Sequence, residues 1–505
     1  MPSTVRVLAA LFAALVVALL PAASAPARTV SKTAWKVDLG AARDVAAVSV
    51  AWRARSTRGR YRVQTSLDGR RFRTAARVRP RRGKRVRVRM GDTTARFVRL
   101  AGRRARTPRL VVRASRAEKP RRRRPKAPGA APAPGPAATP SPAAAPAPTP
   151  SWRGGPLPAP LPASTGTRRY VALTGSDANP GTEARPWRSI QRALDLAEPG
   201  EQILVRGGTY LGTALGRDLG GDVGNGVLAS PQGAPGAPIT LQPYPGEHVT
   251  LAGFISLPRA AWFRMTGFVI DGAAAPVGAE GVSLGNTSSG EPHHVEISYN
   301  EIRNFQPPSG RHAHGILHFS GTDTALVGNR IHDIGSTTFY DHGIYMKAGR
   351  RVVVANNVIS DITGGYGLHI WGDFDDSWVV HNTVHGSAAS GFTIGGNSER
   401  GYPDRVVTAN NVLAGHTGTG DSQQGYAAKE YQPGSGNSVR NNLGWGNARS
   451  NPFALSASGP SGNRTVAPGS ATAAATDKGE DFGLLLDADG RARDSRPDIG
   501  AFEAP

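Results

Sequence analysis

The sequence GIYMK, at residues 343–347, is one copy of a short phrase that recurs along the second half of the chain. The other copies are GILHF from Gly315, GLHIW from Gly367, GFTIG from Gly391 and GYAAK from Gly425, with a weaker copy, GVSLG, from Gly281. Successive copies are about 24 to 34 residues apart, a period typical of stacked repeat units. Each copy is too short for a helix, so the pattern predicts a parallel β-solenoid in which every coil buries its apolar residues against the next.

Within each copy, apolar residues alternate with other residues at the period of a β-strand. The first and third residues after each glycine are therefore expected to point inward, and the second and fourth to point outward. Stacked coils then present two outward columns. The first is predicted to contain Ser283, Leu317, Tyr345, His369, Thr393 and Ala427, and the second Gly285, Phe319, Lys347, Trp371, Gly395 and Lys429. The candidate site is the patch that Tyr345, Lys347, His369 and Trp371 would share.

A second phrase, an asparagine followed within two positions by an apolar residue, lies between the copies. Its asparagines are Asn300, Asn329, Asn357, Asn382, Asn411 and Asn442. Asparagine tolerates left-handed backbone, and its side-chain amide can bond to a stacked equivalent. These residues are therefore expected to form a structural ladder at a bend of the solenoid, with no part in catalysis.

Charge is distributed unevenly along the 505 residues. The chain has 61 Lys and Arg against 37 Asp and Glu, a net charge of +24, but residues 26–128 alone hold 34 basic and 5 acidic residues. The basic character therefore belongs to the N-terminal third. Cysteine is absent, which excludes disulfides and thiolate metal sites within this sequence.

Residues 1–25 have the pattern of a signal peptide. Arg6 precedes an apolar run over residues 7–20, and small residues at 23–25 form a cleavage site. A membrane anchor is the alternative, but the run is short for a span and Pro21 ends it. We therefore expect a secreted or cell-envelope-associated protein without a stable membrane span, and the lack of cysteine suits a bacterial secreted protein.

Residues 35–114 are predicted to form a small antiparallel β-sandwich. Apolar residues alternate with arginine between turn signals such as Asp68-Gly69, so one face of each sheet would be buried and the other cationic. The segments WKVDLG from Trp35, VAAVSVAW from Val45, YRVQTSLDGRRF from Tyr61 and ARFVRLAG from Ala95 resemble the discoidin, or coagulation-factor C-type, carbohydrate-binding fold.

The density of arginine in this module indicates a polyanion as partner, because a basic face attracts polyanions without reading sequence. Few aromatic residues are interleaved, and an exported protein rarely meets nucleic acid as its target. Acidic polysaccharide or an anionic cell-wall polymer is therefore the expected partner, and no specific nucleic acid is expected. Arginine enrichment by composition alone is the alternative. We expect the protein to be a monomer.

Residues 115–166 are predicted to be a disordered linker, because a basic run from Lys119 leads into a Pro/Ala tract that cannot bury apolar area. Residues 167–505 are predicted to be one domain. It opens with an amphipathic helix that has Ile190, Ala193, Leu194 and Ala197 on one face and is stopped by Pro199-Gly200. Such a helix would cover the open end of the solenoid.

The stretch from Arg168, PITLQPYPGE from Pro238, HGIYMK from His342, NNVI from Asn356 and DIGAFE from Asp498 resemble the right-handed parallel β-helix superfamily of pectate-lyase-like proteins. The resemblance implies a single-stranded, right-handed parallel β-helix, and hence an all-β chain. It implies no single activity, because the superfamily includes polysaccharide lyases, glycoside hydrolases, uronate epimerases and proteins without known catalysis.

The first functional hypothesis is a lyase that cleaves a uronate-containing polysaccharide. β-Elimination needs a base, a cation to neutralise the carboxylate beside the abstracted proton, and a proton donor for the leaving oxygen. The resemblance implies Lys or Arg as base, often with Ca²⁺. Lys347 would be the base if nearby positive charge lowers its pKa, and His342, His369 or Tyr345 would exchange the other protons. The residues expected to bind substrate are Trp371, His314, Phe319, Arg350 and Lys429.

The acidic run GDFDDS offers three carboxylates, Asp373, Asp375 and Asp376, as ligands of a calcium ion, although a solvated acidic turn is the alternative. A glycoside hydrolase would need facing carboxylates, for which Asp341 and these three residues are the candidates. An epimerase would begin with the same proton abstraction as a lyase, and a glycan-binding protein would use only the aromatic residues. His318 occupies an inward position and is expected to be a core histidine.

Overall fold

The computed structural model describes residues 28–33, 36–51, 61–66, 73–78, 86–89, 94–101, 109–114, 148, 151–153, 155–218, 225–275, 279–285, 290–306, 312–336, 339–419 and 424–504. The predicted signal peptide and residues 115–147 of the predicted linker lie outside these residues. The chain divides into two compact units, Met1–Ala137 and Ala138–Pro505.

The described part of the first unit is antiparallel β structure. Its strands are Arg28–Thr33, Lys36–Ala51, Tyr61–Ser66, Arg73–Val78, Val86–Arg89, Thr94–Ala101 and Arg109–Ala114. The long strand Lys36–Ala51 pairs with Thr94–Ala101 through its first half and with Val86–Arg89 and Arg109–Ala114 through its second. Val48, Val63 and Val98 are fully buried, so the predicted small β-sandwich is confirmed.

The strand register of this module aligns valine with valine and alanine with arginine. Buried Val48 pairs with Val88 and Val112, whereas its neighbour Ala47 pairs with Arg89 and Arg113. The cationic face of this module stays a prediction.

The second unit is a parallel β-helix built from three sheets, each formed by one strand from every coil. We call the sheet that carries the recurring glycine phrase the site sheet. Its strands are Arg217–Asp218, Asn225–Leu228, Phe254–Leu257, Val282–Leu284, His314–His318, His342–Met346, Tyr366–Trp371, Phe392–Gly395, Ala428–Tyr431 and Phe453–Ala454.

The other two sheets follow in each coil. The second sheet has Arg168–Val171, Gln202–Val205, Ile239–Pro243, Ala261–Thr266, His293–Ser298, Thr322–Val327, Gly349–Arg350, Val353–Ala355, Phe374–Asp375, Trp378–Val380, Val407–Ala409 and Ser438–Arg440. The third has Gly208–Tyr210, Val249–Leu251, Val269–Asp271, Glu301–Phe305, Arg330–Ile334, Val358–Ser360, Thr383–His385, Val412–Ala414, Leu443–Trp445 and Arg464–Thr465.

Helices are short and lie outside the sheets. The α-helices of the described residues are Ile190–Leu196 and Ala471–Ala475, and the 3₁₀ helices are Gly212–Ala214, Gly272–Ala274 and Pro468–Ser470. The first α-helix buries Ile190, Ala193 and Leu194 in the core cluster of the β-helix, as the sequence predicts, and Ser189 caps its N-terminus by accepting a hydrogen bond from the Arg192 backbone N–H. Within the described residues, no helix is long and apolar enough to cross a membrane.

The inward positions of the phrase form the core of the β-helix. Val282, Ile316, Ile344, Leu368 and Phe392 are paired in register along the site sheet and are all fully buried, as predicted. His318, also inward, is buried with its Nδ1 at 3.0 Å from the Ala348 carbonyl oxygen.

The last copy of the phrase departs from the prediction by two residues. Ala428, not Tyr426, pairs with Phe392, so Tyr426 is not an inward residue. Lys429 therefore pairs with Thr393 and belongs to the first outward column. Tyr431 pairs with Gly395 and occupies the position in the second column that was predicted for Lys429. A shift of two preserves the alternation of inward and outward positions, so the pattern of the sequence could not reveal it.

The recurring asparagines form the predicted ladder at a bend. The Oδ1 atom of Asn357 accepts hydrogen bonds from the backbone N–H and the side-chain amide of Asn329, both at 3.0 Å, and Asn382 does the same for Asn357 at 2.9 Å. The left-handed backbone lies one residue earlier than expected, because Asn356 and His381 have φ values of 55° and 54°. The ladder asparagine supplies the bonds, and the residue before it makes the turn.

The predicted linker extends too far toward the β-helix. Trp152 and Leu157 are buried, with exposures of 6% and 4%, and Trp152 forms a bridge with Leu484. Arg264, itself buried, contacts the Leu161 carbonyl oxygen through Nη2. Trp152 and Leu157 pack in a cluster with residues of the β-helix, which a composition rich in proline and alanine does not reveal.

Replacing Asn357 by Ala tests the ladder. The change removes the acceptor of the Asn329 backbone and side-chain N–H groups and the side-chain donor to the Leu326 carbonyl oxygen, all buried, so we expect the free energy of unfolding to fall by roughly 2 to 4 kcal/mol. Urea denaturation followed by circular dichroism measures this loss. The exposed Asn451→Ala is the matched control, and equal stability of the two variants would contradict the ladder's role.

Candidate active site

Outward residues of neighbouring coils line a cleft on the site sheet with a volume of about 400 Å³. The residues that line it are Phe339, Tyr340, His342, Tyr345, Lys347, Tyr366, His369, Trp371 and Arg400. The structure therefore brings the four residues of the predicted patch into one cleft. Among the described residues, none of those that line this cleft is a carboxylate.

A stack of rings forms the floor of the cleft. Tyr345 stacks on His369 with ring centroids 5.0 Å apart and planes at 12°. His369 Nδ1 lies 3.1 Å from His342 Nε2, and His314 stacks on the other side of His342 at 5.0 Å and 11°. In-register pairing of successive strands places these rings on one another, so the stack follows directly from the repeat.

Burial keeps these histidines neutral. It lowers the pKa of His314 and of His369 to about 3, and it holds the pKa of His342 well below its usual value, with a further contribution from the neighbouring His369. A ring that stays neutral near pH 7 can share a hydrogen bond but carries no charge. His342 and His369 both line the cleft as neutral rings, and their low pKa makes each a weak base, which argues against the acid–base role predicted for them.

Lys347 has a different environment. Its ammonium lies over the ring of Phe319, with Nζ 3.9 Å from the ring centroid. Partial burial lowers the pKa of Lys347, the positive charge of Arg400 lowers it further, and the carboxylate of Glu280 opposes both. The condition that the sequence hypothesis set for a lysine base, a pKa lowered by nearby positive charge, is therefore met.

Tyr345 and Trp371 complete the wall of the cleft. Burial raises the pKa of the Tyr345 hydroxyl, so this group keeps its proton at neutral pH. Trp371 stacks on Tyr431 at 5.4 Å and 26°, across the coil that carries Gly395. A Cβ atom at position 395 would lie 2.2 Å from the Tyr431 carbonyl oxygen, so this close approach needs glycine.

Several predicted substrate-binding residues lie elsewhere. Arg350 points to the next bend, where its Nη2 is 3.4 Å from Asp375 Oδ2. His314 is buried beneath His342, and Phe319 supports Lys347. Lys429 lies two coils beyond His369 in the first column, because of the register shift in the last copy.

The predicted metal ligands do not fit a calcium ion. Asp375 accepts a hydrogen bond from the Asp404 backbone N–H at 3.0 Å and contacts Arg350 and Arg405, and Asp376 forms an ion pair with Arg405. Of the three carboxylates, only Asp373 has no arginine partner among the described residues, which contain no group of three His, Cys, Asp or Glu arranged to hold a metal. Asp341 is fully buried and accepts backbone hydrogen bonds from Ala313 and Ser336, both at 2.9 Å.

The sequence analysis missed several residues of the site. Arg400 and Tyr340 lie in loops outside the phrase, where no repeat fixes a position. Tyr366 lies one coil after His342 and pairs with it, because each residue directly precedes a glycine of the phrase. Aligning the copies would therefore have predicted Tyr366. Glu280 directly precedes Gly281 of the weak copy, just as His314 precedes Gly315 and His342 precedes Gly343. This equivalent position could have identified Glu280 from the sequence.

Comparisons with known protein families agree with this architecture. Residues 255–443 match a family model described as a right handed beta helix region, and residues 23–100 match a NedA-like, galactose-binding domain. The β-helix family model therefore matches coils in the middle of the second unit. Residues 173–217 also match a family of unknown function.

Individual relatives match this β-helix protein only locally. It is 26% identical over 163 residues to the uncharacterized protein YwoF of Bacillus subtilis, covering 30% of this chain and 32% of YwoF. It is 36% identical over 93 residues to pectate lyase PEL9 of Emericella nidulans, covering 18% and 20%. Among solved structures, pectate lyase Pel9A is 16% identical with a TM-score of 0.37, over 68% of this chain and 98% of that one.

Charge-removing variants test the environment of Lys347. Arg400→Gln removes a nearby positive charge and should raise the pKa of Lys347, whereas Glu280→Gln removes a negative charge and should lower it. Nuclear magnetic resonance titration of protein with carbon-13-labelled lysine, assigned with Lys347→Met, measures both. Shifts in the same direction, or none, would show that neither group acts on this amine.

Proposed function

We propose that this protein is a polysaccharide lyase that cleaves a uronate-containing polysaccharide by β-elimination. The observation that carries the proposal is Lys347, whose pKa is lowered by burial and by Arg400, in a cleft that no described carboxylate lines. A lower pKa raises the share of neutral amine that can act as a base at a given pH, and a cleft of positive potential attracts an anionic sugar.

Each step of the elimination has a candidate residue. The neutral amine of Lys347 would take the proton from the carbon beside the substrate carboxylate, and the Arg400 guanidinium would pair with that carboxylate as charge develops on it. The electron pair forms a carbon–carbon double bond as the glycosidic carbon–oxygen bond breaks. The Tyr345 hydroxyl, which keeps its proton, would protonate the leaving oxygen, and Trp371 would stack on a sugar face.

The residues of the cleft favour this reaction over hydrolysis. A glycosidase of either stereochemistry needs two carboxylates that flank the scissile bond. Asp341 is buried under backbone hydrogen bonds, and Asp375 and Asp376 are paired with arginine. Neither Asp373 nor Glu280 lines the cleft. An epimerase shares the first step and differs only in returning the proton to the opposite face of the same carbon.

Export of the protein and binding of the polymer by its N-terminal module are part of the same proposal. We propose that the protein is exported and that its arginine-rich module binds an anionic polysaccharide through charge. The local similarity to a pectate lyase and the match of the module to a galactose-binding domain support a carbohydrate partner. Binding that weakens steeply with salt would distinguish charge from a neutral-sugar pocket.

Incubation with a panel of uronate polysaccharides tests the reaction. We expect new ultraviolet absorbance from unsaturated chain ends with at least one polymer, and we expect Lys347→Ala to lower kcat by at least about a hundredfold, because it removes the base. The exposed Lys478→Ala is the control for loss of a lysine and should keep full activity.

Other outcomes of this assay identify the alternatives. New reducing ends without absorbance would mean a hydrolase, and a change in uronate composition without cleavage would mean an epimerase. Binding without any reaction would mean a glycan-binding protein. Full activity of Lys347→Ala would move the catalytic site elsewhere.

Calcium dependence is tested separately. We expect turnover to persist in excess EDTA, because arginine already neutralises Asp375 and Asp376, and Arg400 is positioned to neutralise the substrate carboxylate. Activity that disappears with EDTA and returns only with Ca²⁺ would restore the metal hypothesis, and Asp373→Asn would then locate the site.

A further inference from the structure

We propose that Phe319 is a positioning residue that holds the protonated form of Lys347 on its ring face, one coil away from the point where the amine meets substrate. The inference deepens the lyase proposal and rests on it for its catalytic meaning. The contact itself, with Nζ 3.9 Å from the ring centroid, stands without any assumed activity.

The contact favours the charged amine. An ammonium over the face of a phenyl ring is attracted by the negative electrostatic potential of that face, and the attraction grows when water is partly excluded. Neutral amine gains little from the same position. Phe319 therefore opposes the burial that favours a neutral Lys347, and it does so only while the ammonium lies on the ring.

Other groups around Lys347 act from different directions. Arg400, from the loop after Phe392–Gly395, and Glu280, from the coil before Phe319, act on its charge with opposite signs. His314, on the strand His314–His318, is neutral.

This arrangement gives the lysine two positions. In the resting protein the ammonium lies on Phe319, whose coil precedes its own, whereas Tyr345, His369 and Trp371 extend the cleft toward the next coil. Loss of the proton releases the amine from the ring, and the proton taken from substrate restores the ammonium that the ring prefers. Phe319 thus stabilises the lysine in the form that it has after proton abstraction.

The sequence predicts Phe319 as a substrate-binding residue. In the structure Lys347 occupies the ring face of Phe319, so this ring is not free to contact a sugar. Phe319 therefore has a different role from Trp371. Both residues belong to the second outward column, so the column argument places Phe319 correctly without revealing which partner it has.

The test compares Phe319→Leu with Phe319→Tyr. Leucine keeps apolar bulk but has no ring face, so the pKa of Lys347, measured by carbon-13 lysine titration, should move down. Tyrosine keeps the ring and should leave it close to that of the natural protein. In the lyase assay, Phe319→Leu should move the rising limb of the pH profile to lower pH and lower kcat about fivefold, with KM little changed.

The titration keeps the two proposals distinguishable. A protein without lyase activity would refute the proposed function, but the pKa comparison would still decide the role of Phe319. An unchanged pKa in Phe319→Leu, or an equal shift in both variants, would overturn it. Circular dichroism spectra that match the natural protein confirm that each variant is folded before it is compared.

Discussion

In-register hydrogen bonding between successive coils is the constraint on which the rest of this structure depends. Ile344 pairs with Ile316 on the preceding coil and with Leu368 on the following coil. The other residues of these strands are aligned in the same register. The strands are about 4.8 Å apart, so each side chain touches its equivalents above and below. The buried core, the asparagine ladder and the ring stack of the cleft are three results of this one rule.

The rule explains which features could be predicted from the sequence. Inward residues, the column of Tyr345 and His369, and the ladder all repeat with the coil, so alternation and spacing were sufficient. Lys429 was assigned to the wrong column because a slip of two residues leaves alternation unchanged. Arg400 was missed because its loop has no equivalent on the neighbouring coils, and a loop is positioned by contacts that a repeat does not encode.

The stacking of the coils decides which side chains in the cleft are charged, because it buries some of them and leaves others open to water. The histidines lie against one another away from water and stay neutral, whereas Lys347 and Arg400 reach the open part of the cleft. The nearby carboxylates of Asp375 and Asp376 are held by arginine at the next bend. Lys347 and Arg400 therefore place positive charge in the lining of the cleft, and Glu280 acts on Lys347 from outside that lining, so a substrate carboxylate would find cations facing it.

In the proposed reaction, a lysine in this cleft removes a proton, and water takes no part in bond cleavage. Mass spectrometry of the products made in water enriched in heavy oxygen measures this directly. Elimination predicts that the new chain ends incorporate no heavy oxygen and that the non-reducing end is unsaturated. Heavy oxygen at the newly formed reducing end would show hydrolysis and contradict the account.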